Sequence, residues 1–117
     1  MKIKQLGLIG YPLEHSFSAS YFKKKFRDEK IDSFDYNLYP LDNIKLFPSF
    51  LNNYQDIVGL SVTIPYKQSI LTYLDEIDES AKDIEAVNTL VIKRKQERIS
   101  VKGFNTDYIG FEDSLKP

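Results

Sequence analysis

Residues 56–77 read DIVGLSVTIPYKQSILTYLDEI, and the fold turns on how that stretch divides. The apolar, β-branched run of 56–64 predicts a buried strand. Pro65 suits the first position of a helix, which predicts a helix over 66–77 with Ile70, Leu71 and Leu74 on its inner face. A buried strand feeding a helix is half of a βα unit, so the segment points to an α/β protein. It also raises a question. Lys67 would sit in the first helical turn, where the dipole is already positive and would bias the amine toward giving up its proton.

Working outward, KIKQLGLIG (2–10) is a second apolar run. It ends in Gly-Tyr-Pro and reads as a buried strand entering a turn. SASYFKKKFRDEK (18–30) suits a serine-capped helix, with Tyr21, Phe22 and Phe26 recurring at helical spacing. SFDYNLYPL (33–41) alternates Phe34, Tyr36 and Leu38 and reads as a strand stopped by Pro40. LDNIKLFPSFLNNY (41–54) reads as a helix started by Asp42 and interrupted at Pro48. DESAKDIEAV (78–87) is a shorter helical turn, and residues 87–107 form a hairpin around a solvated basic turn, KRKQER (93–98). TDYIGFEDSL (106–115) begins one more helix. Strands alternate with helices until the hairpin, so the sheet is mixed.

Composition narrows the function classes. At 117 residues the chain fits one domain with its own core. Its 16 basic and 17 acidic residues, net −1, give no electrostatic reason to expect nucleic acid or an anionic membrane surface. No cysteine is present and His15 is the only histidine, which leaves no thiolate nucleophile and no multi-histidine metal set. No apolar run reaches a membrane span of ~20 residues, and the start is too short in apolar residues for a signal peptide. The expectation is a soluble cytoplasmic protein. No G-x-G-x-x-G, G-x-x-x-x-G-K-[ST] or G-x-S-x-G occurs, so a nucleotide or dinucleotide cradle is not recognisable.

Several residues could carry chemistry, each with a plain structural alternative. Ser16 and Ser18 lie two apart where strand hands over to helix, suited to a carboxylate or phosphate, or equally to capping the helix. Lys67 is either a proton-exchanging amine or an exposed lysine on a flexible stem. Asn88 sits in an apolar setting and is either structural or presented to a ligand. Asp107 is either a helix cap or the carboxylate partner of Lys67.

Taken in order, four stretches resemble the substrate-binding domain of the shikimate dehydrogenase family. GLIGYPLEHSFSAS (7–20) resembles its G-x-P-x-x-H-S-x-S motif, and GLSVTIPYKQSI (59–70) its N-V-T-x-P-x-K motif. IEAVNTLV (84–91) resembles G-A-V-N-T, and GFNTDYIGF (103–111) resembles G-x-N-T-D-x-x-G. The chain departs from the pattern at Ala19, where a proline is usual, and at Tyr21-Phe22, where a His-Asn pair is usual nearby. Ser61 replaces the asparagine of N-V-T.

The resemblance implies a three-layer α-β-α sandwich with a mostly parallel, mixed central sheet. It implies that residues 1–117 are the substrate-binding domain, with the Rossmann-type NADP-binding domain absent. The implied reaction is reversible NADP-dependent reduction of 3-dehydroshikimate to shikimate, on the route to aromatic amino acids. Ser16 and Ser18 would bind the substrate carboxylate. Thr63, Asn88 and Asp107, with Ser61 nearby, would contact ring hydroxyls. Lys67 would be the catalytic acid/base with Asp107 beside it. An excised domain of this kind is expected to fold, to bind shikimate weakly if at all, and not to turn over alone, whether as monomer or homodimer. Two other functions fit the same residues: a non-catalytic shikimate or quinate sensor, and a quinate/shikimate dehydrogenase using NAD.

Overall fold

The computed structural model describes residues 3–13, 17–30, 33–96 and 98–106, the side chains of 17–22 excepted. The elements run β1 (Lys4–Gly10), α1 (Phe17–Asp28), β2 (Phe34–Pro40) and a 3-10 turn (Ile44–Leu46) that enters α2 (Phe47–Asn53). They continue with β3 (Ile57–Val62), a second 3-10 turn (Ser69–Tyr73), β4 (Glu76–Ile77), α3 (Glu79–Lys82), β5 (Thr89–Lys95) and β6 (Arg98–Phe104). The strands form one six-stranded sheet in the order β2-β1-β3-β5-β6-β4. β5 alone runs against the others, so the expected mostly parallel, mixed α/β sheet is what the chain forms.

Register and ring contacts place the helices. Alternate residues of a strand face opposite sides, so Phe34 and Tyr36 share one face of β2 while Asn37 and Tyr39 share the other. The Phe26 ring of α1 lies 6.3 Å from Phe34. The Phe50 ring of α2 lies 5.1 Å from Tyr39. α1 and α2 therefore cover opposite faces, giving three layers. Sheet order requires it: β1 connects to β2 on one side, and β2 then crosses back over β1 to β3 on the other. Two right-handed crossovers in opposite directions must use opposite faces. The main core lies under α2, where Ile9, Leu60 and Val62 meet Phe47, Phe50 and Ile70.

Two helix expectations are corrected. The helix read over 41–54 does not start at Asp42 or break at Pro48. Asn43 caps the 3-10 turn by accepting the Lys45 N–H at 2.9 Å, and Pro48 lies in the first turn of α2, where its missing N–H is harmless. The helix expected over 66–77 is only a five-residue 3-10 turn, and the cause is competition for backbone partners. Lys67 O would accept the Leu71 N–H in an α-helix, but it accepts the Val87 N–H at 3.0 Å, and Leu71 turns to Gln68 O at 3.1 Å. Further on, Asp75 exchanges backbone and side-chain bonds with Val101, which zips the segment onto β6 as β4. The helix read over 106–115 lies outside the described residues beyond Thr106.

The basic turn is corrected in part. Arg94 is half-buried: its Nη2 donates to Leu51 O at 3.2 Å and Tyr54 O at 3.0 Å, closing the C-terminal end of α2. Among the described residues, no helix is long and apolar enough to cross a membrane.

Candidate functional site

The strand ends decide where chemistry can gather. β1 exits toward the α1 face. β3 exits toward the α2 face, where Tyr66 and Ile70 join the core beside Phe47. Adjacent parallel strands leaving to opposite faces make a topological switch point, and ligands of open α/β sheets bind outside the strand carboxyl ends there.

Four chain segments meet at this edge and are stitched by backbone bonds. Thr63 N–H donates to Ile9 O at 3.0 Å and Tyr11 N–H to Ile64 O at 3.2 Å, so the β1 and β3 exits stay paired beyond the strands. Gly10 permits the approach: a Cβ built there would lie 2.4 Å from Thr63 Cγ2. The Val87–Lys67 bond ties the 84–88 loop to the β3 exit, and Val62 N–H donates to Asn88 O at 2.9 Å. Asn88 N–H donates to Phe104 O at 3.0 Å, which brings in the end of β6. Tyr66 Oη donates to Leu41 O, fastening the residue before Lys67 to the end of β2. Burial, with Asp42 and Tyr11 adding to it, holds the Tyr66 phenol above its ordinary range, so it remains a donor.

Thr63 and half-buried Lys67 thus lie on the β3 exit, with Asn88 alongside. Lys67 precedes Gln68, the N-cap of the 3-10 turn, so it does not occupy a helical first turn. The dipole premise of the sequence reading is withdrawn. What fixes Lys67 in place is its carbonyl's bond to Val87.

Asn88 is oriented by its neighbours. Its Oδ1 accepts from Thr106 N–H at 3.0 Å, Thr106 Oγ1 at 3.1 Å and Thr89 Oγ1 at 3.0 Å. Three converging donors identify that atom as the oxygen. Asn88 is therefore structural at its oxygen end, which ties the start of β5 to Thr106. Ser61 lies between Leu8 and Thr89 on the α1 face of the sheet. Burial raises the pKa of the Tyr36 phenol, and the nearby Ser61 hydroxyl partly offsets that rise. Ser16, Asp107 and His15 lie outside the described residues. Ser18 lies in α1, its side chain likewise undescribed.

Two residues escaped the sequence reading. Ser80 and Asn105 are both buried, and Asn105 N–H donates to Ser80 Oγ at 3.0 Å while its Nδ2 donates to Ala86 O at 3.2 Å. The signal available in the sequence was Asp78-Glu79-Ser80, an Asx-type cap: Asp78 accepts the Ser80 N–H at 3.1 Å. Volume alone would point elsewhere. Grooves of about 450 and 560 Å³ run along β2 and α2 and share Leu38, Tyr39, Asn53 and Tyr54. Neither has a cation on its lining, and neither touches the exits of β1 and β3.

Comparison with known proteins places the chain in a family. The family described as the shikimate dehydrogenase substrate binding domain matches residues 8–90. A shikimate dehydrogenase (NADP(+)) of Methanococcus maripaludis is 43% identical over 117 residues, covering 98% of this chain and 40% of the relative. The enzyme of that name from Thermoplasma acidophilum is 38% identical over 111 residues, covering 94% of this chain and 39% of its own length. A crystal structure of shikimate dehydrogenase in complex with NADP+ superposes with a TM-score of 0.77 at 40% identity, over 97% of this chain and 38% of that one. The Thermus thermophilus enzyme in complex with shikimate gives 0.77 at 26% identity, over 97% of this chain and 42% of that one. The chain thus spans about two fifths of the length of the curated relatives it matches.

Proposed function

The chain belongs to the shikimate dehydrogenase substrate-binding domain family, and we propose from that premise that it holds shikimate and 3-dehydroshikimate at the exits of β1 and β3. Joined to an NADP-binding domain, it serves their reversible interconversion in the cytoplasm. The observation that carries this reading is the stitching of the β1, β3 and β6 ends to the Asn88 loop, which gathers all four motif segments at one switch point.

A polyhydroxylated ring acid needs an anion site, several fixed donors and acceptors, and a proton donor at the reacting oxygen. Ser16 and Ser18 follow β1 and supply hydroxyls for the carboxylate. Ser61 and Thr63 stand two apart on one face of the β3 line, and Asn88 offers its NH₂ to a ring oxygen. Asp107, the residue after Thr106, completes the hydroxyl contacts beside Lys67. As the ketone carbon is reduced its oxygen gains negative charge. A lysine ammonium placed there stabilises that charge and delivers the proton. In the reverse direction the neutral amine takes it back.

The described residues do not fit a dinucleotide. β1 runs into Gly10-Tyr11-Pro12 with no glycine-rich turn on which a pyrophosphate could rest. NADP, bound outside this chain, would supply or accept the hydride, and no contact to it is assigned to these residues. The test is a hybrid in which this chain replaces the aligned segment of the Methanococcus maripaludis relative. Shikimate-dependent reduction of NADP is expected. A folded hybrid that binds NADP and ignores shikimate would contradict the reading.

A further inference from the structure

We propose that Ser80 is a positioning residue for substrate binding: its buried hydroxyl fixes the end of β6, and through it the direction in which Asn88 offers its donors. The inference deepens the shikimate-binding reading and rests on it.

The chain of contacts is short. Ser80 Oγ accepts the Asn105 N–H at 3.0 Å, from a side chain in α3, twenty-five residues back. On the other side the Asp78 carboxylate accepts the Ser80 N–H at 3.1 Å and stands next to the Ser80 hydroxyl, which helps hold its pKa down. Serine is suited to this place because one hydroxyl both donates and accepts. Asn105, held at its N–H, grips Ala86 O with its own amide at 3.2 Å. The next residue, Thr106, delivers two donors to Asn88 Oδ1. Those two bonds, with Thr89, set the plane of the Asn88 amide. Ser80 touches no part of the proposed ligand and acts only through this relay.

Alanine at 80 removes the acceptor that the Asn105 N–H uses. The end of β6 must then shift to find another, because a buried N–H left unpaired is costly. Thr106 and the Asn88 amide plane move with it.

The test is a shikimate titration of the isotope-labelled 117-residue chain, followed by amide resonances, for the unsubstituted protein and for Ser80→Ala. Without ligand, Ser80→Ala should move the Asn105 and Thr106 amide resonances. With shikimate, its dissociation constant should rise roughly two- to tenfold, measured well below both melting temperatures. A lowered melting temperature with unchanged affinity would assign Ser80 to stability alone and overturn the inference. If Ser80→Ala does not fold, Ser80→Cys fills the same space with a weaker acceptor and is held to the same affinity criterion. Where the isolated chain binds too weakly to titrate, the same criterion, roughly two- to tenfold, is read as KM for shikimate in the hybrid enzyme. A folded hybrid that ignores shikimate would overturn the underlying reading, and this inference with it.

Discussion

Asn88 Oδ1 accepts both the N–H and the hydroxyl of Thr106, eighteen residues away, at 3.0 and 3.1 Å. The pair makes one side chain answer for the local fold and for the proposed donor to the ligand, and two substitutions separate the functions. Asn88→Ala strips the acceptor from Thr106 and should destabilise the chain by about 1–3 kcal/mol. Asn88→Asp keeps an oxygen for Thr106 and Thr89 but replaces the NH₂ with a second acceptor. Its melting temperature should stay near that of the parent, while shikimate affinity falls by roughly tenfold or more. Equal affinity in parent and Asn88→Asp would remove Asn88 from the ligand contacts.

Lys67 is held by its carbonyl to Val87 N–H at 3.0 Å, which fixes its backbone. In the hybrid enzyme, Lys67→Ala should lower kcat by roughly 10²- to 10⁴-fold, the range for loss of a general acid. KM should change only a few-fold. A large rise in KM with kcat preserved would make Lys67 a binding contact and not the proton donor.

Gly10 and Thr63 test the geometry of the switch point. A Cβ at position 10 would lie 2.4 Å from Thr63 Cγ2 and 2.9 Å from Ile64 O, and a backbone oxygen cannot step aside. Gly10→Ala should cost about 1–3 kcal/mol by overpacking and should weaken shikimate binding, because Thr63 is displaced. Gly59→Ala is the control. Its Cβ would meet the flexible end of Leu6 at 3.1 Å, and both effects should be milder. Thermal melts and titrations of the two variants check the ranking.

The Asp78 carboxyl is held below its ordinary 3.8, first by the Ser80 hydroxyl and then by the Ser80 N–H; desolvation opposes them, and Lys102 adds attraction. A depressed folded value means that the carboxylate contributes stability above pH 3.8, and that the contribution is lost as pH falls through the lower folded value. Asp78→Asn should therefore be less stable than the parent at neutral pH, with the gap closing in acid. In Ser80→Ala the Asp78 titration, read by NMR, should move back up. A pH-independent gap would contradict this assignment.

Much of the fold was legible because burial leaves a periodic mark. Ile9, Leu60 and Val62 come from runs with too little polarity for anything but interior strands, and Arg94–Arg98 marked a hairpin turn. Residues 66–77 were misread because Ile70, Leu71 and Leu74 suit a helix face and a packed 3-10 turn equally. The deciding bonds, Val87 to Lys67 and Val101 to Asp75, come from residues about twenty and twenty-six places on. Pro48 was ambiguous for a smaller reason: one residue's difference in the cap, Asn43 for Asp42, turns a helix breaker into a helix starter. At the site, motif order brought Thr63, Lys67 and Asn88 into view. Motif order carries no information about which end of the Asn88 amide meets Thr106, nor about Ser80, whose use depends on a peptide N–H in another element.

The central claim is that shikimate binds where the β1 and β3 exits meet, and an amide-resolved titration of this chain tests it most directly. The account predicts resonance changes at residues 10–18, 61–67, 86–89 and 104–107 that follow a single saturable isotherm. Saturable changes confined to the groove of Leu38, Tyr39, Asn53 and Tyr54, with the strand-exit residues silent, would contradict it.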